Sequence, residues 1–432
     1  MTIRELRDSA TNHRKSKQFK DAIVIYEQLW AENHDECNDW DGWSYAFCLQ
    51  NTQQYERGIE IAKDTIEKYP QFSNTKNVYC WCLYYVKIKP QINNEDDFIK
   101  SANEIVAHCV QEKYSPFTIT VFKVVNHINS KPTYNAEKIF EWISKLNPEL
   151  LDDTVGNITE KDTGKERELA SDKEKYYSLI INALFEKGEF KKCLQTCDLA
   201  LSSFPKFHYD NDIWFKRKKA QCFINTNELE KSLAIYEEIL KRKSDWFIKH
   251  EIAELYLKMT NLEKAMKFAC DAALSFGDAD KKMKLYELLA NLSIKKGEKD
   301  IAKKHIALVY TIRKEHQWNI EKMSNTITKF DVNITNLKDA RSQERELKKN
   351  WEDLMFADKE VNVGVIHSLL PNGKAGFIRT TDKNSYYFDL RNFVGRKELA
   401  IPEKEVTFFL EDGFDTKKNQ PTKIAINVQP KK

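Results

Sequence analysis

One amphipathic helix, written again and again, limits what this chain can fold into more than any other feature. The segments "FKDAIVIYEQLWAENHD", "YERGIEIAKDTIEKYP", "YNAEKIFEWISKLNP", "FKKCLQTCDLALSSFP", "LEKSLAIYEEILKRKSD", "LEKAMKFACDAALSFGD" and "EKDIAKKHIALVY" are variants of it. A small residue recurs near each start, at Ala22, Gly58, Ala136, Cys193, Ser232, Ala265 and Ala302. Four residues later comes a larger side chain such as Tyr26, Phe140 or Tyr236, and a proline stop often follows, at Pro70, Pro148 or Pro205. A second small residue lies twelve positions upstream, at Ala10, Ala46, Ala220, Ala253 and Ala290, on a preceding helix. Between the two helices stands a Gly or Asn turn, at Gly188, Asn227, Asn261 and Gly297. Where the repeats are clear they are spaced 33 to 39 residues apart. Such units bury their apolar faces only by stacking on their neighbours.

With small residues where two helices nearly touch, the pattern resembles the tetratricopeptide repeat (TPR) over about residues 3 to 316, with one degenerate copy around 74–113. The resemblance implies an all-α TPR solenoid of about seven to eight helix pairs. It also implies a groove, lined by the first helix of each pair, that takes a protein or peptide. On such a helix, "WFKRKKAQCF" places Lys216, Arg217 and Lys219, a basic cluster suited to an acidic partner. The polar stretch 151–172 lacks periodicity and is expected as a loop dividing an N-terminal TPR lobe (1–150) from a C-terminal lobe with its capping helix (173–330). Residues 331–360 read as a charged linker helix. Its apolar points, Leu337, Ala340, Leu347, Trp351 and Leu354, are expected to lie along the array.

From residue 361 the period changes to two. "VNVGVIHSLL", "KAGFIRTT", "SYYFDLRNF", "KEVTFFLED" and "TKIAINVQP" are five short strands parted by polar turns, which suits a small OB-type β-barrel over 361–432. This part is also the basic one. It carries twelve Lys and Arg against eight Asp and Glu, in a chain whose net charge is only +3. Gly364, then Ala375-Gly376-Phe377-Ile378, then Tyr386-Tyr387-Phe388-Asp389-Leu390, and a late Asn427-Val428 resemble the strands of a cold-shock domain. Aromatic rings on an open barrel face stack on unpaired bases while nearby cations meet phosphates. Phe377 and Tyr387 correspond to the family's stacking rings, and Lys374, Arg379, Lys383 and Arg391 supply charge beside them. The chain departs from the family at Ser368, Ala375, Asp389 and Leu390, where rings or an imidazole would stand.

No phosphate-binding Gly-rich loop, no His-Glu-x-x-His and no serine elbow occurs, so no catalytic residue, metal or cofactor is assigned. The nine cysteines follow helical patterns and are expected reduced, with Cys193 and Cys197 as core residues. Without a long apolar run or an apolar leader, the expected setting is cytoplasmic. The sequence thus points to a non-enzymatic adaptor. Its TPR groove would hold a protein partner, and its cold-shock-like barrel would take single-stranded nucleic acid, RNA before DNA. Such an architecture fits an accessory subunit of a bacterial RNA-handling or phage-defence assembly. The alternatives are a protein-interaction hub whose barrel no longer binds nucleic acid, and a peptide-responsive TPR regulator.

Overall fold

A computed structural model describes residues 1–159, 164–415 and 420–431 of the chain. These divide into two compact units, Met1–Ile239 and Leu240–Lys432. Among the described residues, eight antiparallel helix pairs follow one another in chain order, as the repeat pattern requires. They begin with Ile3–Lys15 and Phe19–Asn33 and end with Met283–Lys295 and Lys299–Glu315. The small residues sit where helices touch. Ala10, Ala22, Ala46, Cys193, Ser232, Ala265 and Ala302 are wholly buried. At Gly58 an added Cβ would lie 2.8 Å from the Cys82 sulfur, so no larger residue fits there without displacing that helix. Ala136 is the exception. It starts its helix and stays partly exposed.

Six of the helix–helix turns close in one way. The first helix ends in a residue with positive φ, and the following amide donates to a carbonyl five residues back: Gln18 to His13, Gln54 to Leu49, Glu189 to Leu184, Glu228 to Phe223, Asn261 to Tyr256 and Glu298 to Ser293. That is the Schellman closure, which satisfies carbonyls the helix end leaves unpaired. Gly188, Asn227 and Gly297 take the left-handed position as expected from the sequence, but Thr260 takes it rather than Asn261, and Lys17 and Gln53 take it elsewhere. Asn261 instead caps the next helix, its side chain accepting from the Lys264 amide. In the degenerate repeat, the helix Ser73–Leu83 continues through a π-helical turn, Tyr84–Ile88.

The 151–172 insertion, expected as a loop, is a hairpin in its described part; residues 160–163 of it lie outside the described residues. Strand β1 (Gly156–Thr159) pairs antiparallel with β2 (Glu166–Leu169). The hairpin leans on a neighbouring turn through Glu168 with Lys206, a 3.3 Å bond from the Tyr209 hydroxyl to the Glu168 carbonyl, and the Arg167 guanidinium over the Tyr209 ring. Nor does the core break at this point. Ile143 and Leu146 before the insertion and Leu151 at its start share one cluster with Tyr177 and Ile181 after it.

In the second unit, the helix Ala340–Phe356 lies along the last repeats with Ala340, Leu347 and Trp351 buried. Trp351 stacks parallel to Tyr286, centroids 5.9 Å apart, and its indole N–H donates to His305 Nε2 at 2.9 Å. Because an indole N–H can only donate, Nε2 must accept, and the proton sits on Nδ1, which donates to the Ile301 carbonyl at 3.0 Å. His305 is therefore neutral. Burial holds its pKa down at about 4, against an ordinary value of 6.5. Five residues on, Phe356 stacks on Phe409 of the barrel at 4.4 Å, and Lys359 pairs with Glu411.

The barrel strands are β3 (Asn362–Leu369), β4 (Ala375–Thr380), β5 (Ser385–Asp389), β6 (Glu405–Asp415) and β7 (Gln420–Pro430). They close in the order β3-β4-β5-β7-β6, with β5 and β7 parallel and the other pairs antiparallel. This is the OB-type arrangement. Ile366, Ile378, Phe388, Val406, Phe408, Ala425 and Val428 fill the interior. No helix among the described residues is long and apolar enough to cross a membrane.

His305 generates a pH prediction. The unfolded imidazole takes a proton near pH 6.5, whereas the folded one resists until about pH 4. Its contribution to stability is therefore complete above the unfolded value and is lost as pH falls through that window, by roughly 3 kcal/mol at most. Urea midpoints measured from neutral pH downward should fall accordingly. His305→Gln, which keeps an acceptor for Trp351, should flatten that fall; an unchanged slope in the variant would refute the assignment.

Candidate functional site

The barrel's outer surface over β3, β4 and β5 follows from alternation. Gly376 and Ile378 of β4 point inward, so Ala375, Phe377 and Arg379 point out. On β5, Tyr386 and Phe388 point in, and Tyr387 and Asp389 point out. Register makes the outward residues neighbours: Phe377 faces Tyr387, Ala375 faces Asp389, and Arg379 faces Ser385. Two glycines permit this close sheet. A Cβ on Gly376 would lie 2.5 Å from the Ser368 carbonyl oxygen, and one on Gly364 2.8 Å from that of Arg379.

Phe377 and Tyr387 meet edge to face, centroids 5.8 Å apart and planes at 72°. Tyr387 is 37% exposed and Phe377 is half-buried. Two rings at that angle offer one flat platform in this arrangement, not two parallel ones. Ser368 lies opposite Phe377 and brings no ring to the face. Ala375 is buried and contributes no ring.

The cations differ in how free they are. Arg391, expected at phosphate, is committed to Asp389: its Nε and Nη2 donate to the two carboxylate oxygens at 2.9 and 2.8 Å, and its backbone amide adds a third bond at 2.8 Å. Those bonds hold the Asp389 carboxyl below its ordinary pKa. The negative charge that departs from the family pattern and the nearby positive charge thus cancel locally. Lys374 and Lys383 stand exposed in the turns flanking β4, with no ion-pair partner among the described residues. Lys383 has φ +67°, closing a turn in which its amide donates to the Thr380 carbonyl. Arg379 donates through Nη2 to His367 Nε2 at 2.8 Å.

His367 follows the inward-facing Ile366 and so lies on the outer face, at the point where β3 becomes irregular. Ile366 faces Ile378 while Ser368 faces Phe377, so two residues oppose one and the strand bulges at His367. The bulge adds Ser368 to that face, and the imidazole stands there beside Arg379. A cleft of about 280 Å3 opens next to the pair, lined by Gly364, His367, Arg379, Thr380 and Glu403 among others.

The other expected cluster is far less available. Lys216 pairs with Glu238 and Lys219 with Asp198, while Arg217 lies over the Trp214 ring at 5.6 Å. Lys218 between them pairs with Glu186 at 3.6 Å. Carboxylates on adjoining helices thus meet most of this positive charge within the unit. All nine cysteines are free and buried, and among the described residues no group of three His, Cys, Asp or Glu is placed to hold a metal.

A protein family described as "Domain of unknown function (DUF7017)" matches residues 213–344. That stretch runs from the sixth helix pair into the linker helix and leaves the barrel outside. No match is found among curated proteins. Among solved structures, TTC0263, a thermophilic TPR protein of Thermus thermophilus, shares 9% identity over 59% of this chain and 100% of its own, with a TM-score of 0.22. Naa15/Naa10 bound to HypK-THB shares 14% over 83% of this chain and 47% of that one, at 0.43. The human IFIT1 dimer with PPP-AAAA shares 11% over 82% and 78%, at 0.36. Identities and scores this low place no activity on this chain.

Gly376 gives the site's own prediction. Gly376→Ala must push the Ser368 carbonyl and the Phe388 ring apart, at about 1–3 kcal/mol for an overpacked core. Hydrogen exchange of the β3–β5 amides should speed up by tenfold or more, while amides in the helix pairs of Met1–Ile239 keep their rates. Equal rates in β3–β5 would show that the sheet yields freely.

Proposed function

We propose that the chain is a non-enzymatic adaptor. Its TPR-like helix pairs bind a protein partner, and its cold-shock-like barrel binds single-stranded nucleic acid, RNA before DNA. The observation that carries the second half is the Phe377–Tyr387 pair, two adjacent outward rings on β4 and β5 with Arg379, Lys374 and Lys383 around them. Rings supply stacking at about 1–3 kcal/mol per base without regard to sequence, and unpaired cations supply phosphate contacts. Both are needed to hold a flexible single strand. A duplex, whose bases already stack on one another, gains only the second.

Two features set the strength. One platform in place of several, and a cation neutralised by Asp389, make the barrel a weak binder by itself. A partner held by the helix pairs raises the effective concentration of its attached nucleic acid, which lets a weak site act. This supports an accessory role in an RNA-handling or phage-defence assembly, with chemistry performed by another chain. The second reading, an interaction hub whose barrel has ceased to bind nucleic acid, draws on the same Asp389–Arg391 pair.

The test is binding of short fluorescein-labelled oligonucleotides to the full chain, followed by anisotropy across a salt series. Salt-sensitive binding of oligouridylate should weaken at least about tenfold in a Phe377→Ala/Tyr387→Ala double variant, the loss of one good stack. Binding that ignores both salt and the double substitution would leave the hub as the surviving reading.

A further inference from the structure

We infer that His367 is a positioning residue that fixes the Arg379 guanidinium as the phosphate-binding group of the barrel, a proposal that rests on the nucleic-acid reading above. Arginine donates and never accepts, so the 2.8 Å contact between Arg379 Nη2 and His367 Nε2 requires Nε2 to be an unprotonated acceptor. The imidazole is therefore neutral in this arrangement and takes none of the guanidinium's charge away. Compare Arg391, whose fork is spent on a carboxylate. Arg379 is directed by one hydrogen bond and keeps its full positive charge and the rest of its N–H groups. No second partner for either His367 or Arg379 occurs among the described residues.

Place adds to the chemistry. Arg379 lies on β4 two residues from Phe377, on the same outward face. His367 follows the inward-facing Ile366 and so shares that outer face, and the bulge between Ile366 and Ser368 adds Ser368 beside it, opposite Phe377. The cleft beside the pair adds the residues Thr380 and Thr381 on the near side and Glu403 and Glu405 opposite, Glu405 being paired with Lys431 at 3.2 Å. Carboxylates on the far wall repel a phosphate and leave the Arg379 side as its place. A strand whose base lies on Phe377 or Tyr387 would then set an adjacent phosphodiester against a guanidinium already in position. A free arginine side chain loses rotamer freedom on binding; one held beforehand loses less.

The experiment uses the full chain and labelled oligouridylate at fixed neutral pH, with affinity read across a salt series. Arg379→Ala removes one phosphate contact, so the log–log salt slope should become shallower by about 0.7. His367→Ala should weaken binding about three- to tenfold and shift the slope in the same direction, and should add little once Arg379 is already alanine, because it acts through that residue. His367→Gln, which still offers Arg379 an oxygen acceptor, should bind within about twofold of the unsubstituted protein. Unchanged β-sheet circular dichroism in each variant checks the fold, and His367 is exposed enough for that to be expected. If Phe377→Ala weakens binding while His367→Ala and Arg379→Ala leave affinity and slope alone, this inference is overturned and the nucleic-acid reading survives. If additive losses are seen in the His367→Ala/Arg379→Ala double variant, His367 does not act through Arg379 and the positioning role is wrong. If the unsubstituted chain binds no oligonucleotide, both fall together.

Discussion

The Trp351 indole, seated between Tyr286 and His305, settles where the rest of the second unit goes. Its ring lies within 7° of parallel to Tyr286, and its N–H ends on the buried imidazole nitrogen. Around it, Gln343 donates to the Thr311 hydroxyl at 2.7 Å, and Glu344 accepts from the Tyr286 hydroxyl. A charged helix with a narrow apolar stripe has little reason to dock anywhere in particular. These polar contacts give it one register, since sliding by a turn would leave a buried indole donor and an imidazole acceptor unpaired. The same helix ends at Phe356, stacked on Phe409, so the direction in which the barrel leaves the last helix pairs follows from a register set five residues earlier.

Two histidines in this unit obey one rule with opposite consequences. In each, a neighbour that can only donate meets Nε2 as the acceptor. At His305 the donor is an indole and the site is sealed, so the result is a structural pin whose pKa burial drives down. At His367 the donor is a guanidinium and the site is open to solvent, so the bond joins a surface cation to a neutral-type acceptor instead of sealing a core. The chemistry of the ring alone does not separate these roles. What separates them is the charge of the donor and whether water can reach it.

Much of the fold was legible because it rests on periodicity. Small residues twelve apart, apolar stripes at helical spacing and the change to period two after residue 360 each reflect a geometry that sequence alone records. Contacts set by partners distant in the chain were not. Lys216 and Lys219 look like a free basic cluster until Glu238 and Asp198 arrive from adjoining helices. Thr260, Lys17 and Gln53 take the left-handed turn position although none is Gly or Asn, because the Schellman bonds and the helix packing on both sides leave no other path. The hairpin at 156–169 has no apolar alternation to announce it and is held by the turn at 206–209 instead. On the barrel, strict alternation placed Phe377 and Tyr387 on one face, and the structure makes them direct neighbours; the contact of His367 with Arg379 joins two strands, which the pattern along one strand does not record.

The departures from the cold-shock pattern take a different meaning once the partners are seen. Asp389 is not a bare negative charge. It consumes Arg391, and with it the end of the face nearest Ala375, where no ring stands either. Lys374 stays exposed beside Ala375, Ser368 lies opposite Phe377, and Arg379 is bonded to His367 rather than to a carboxylate, so the same region carries one cancelled charge and cations that no acidic side chain among the described residues pairs.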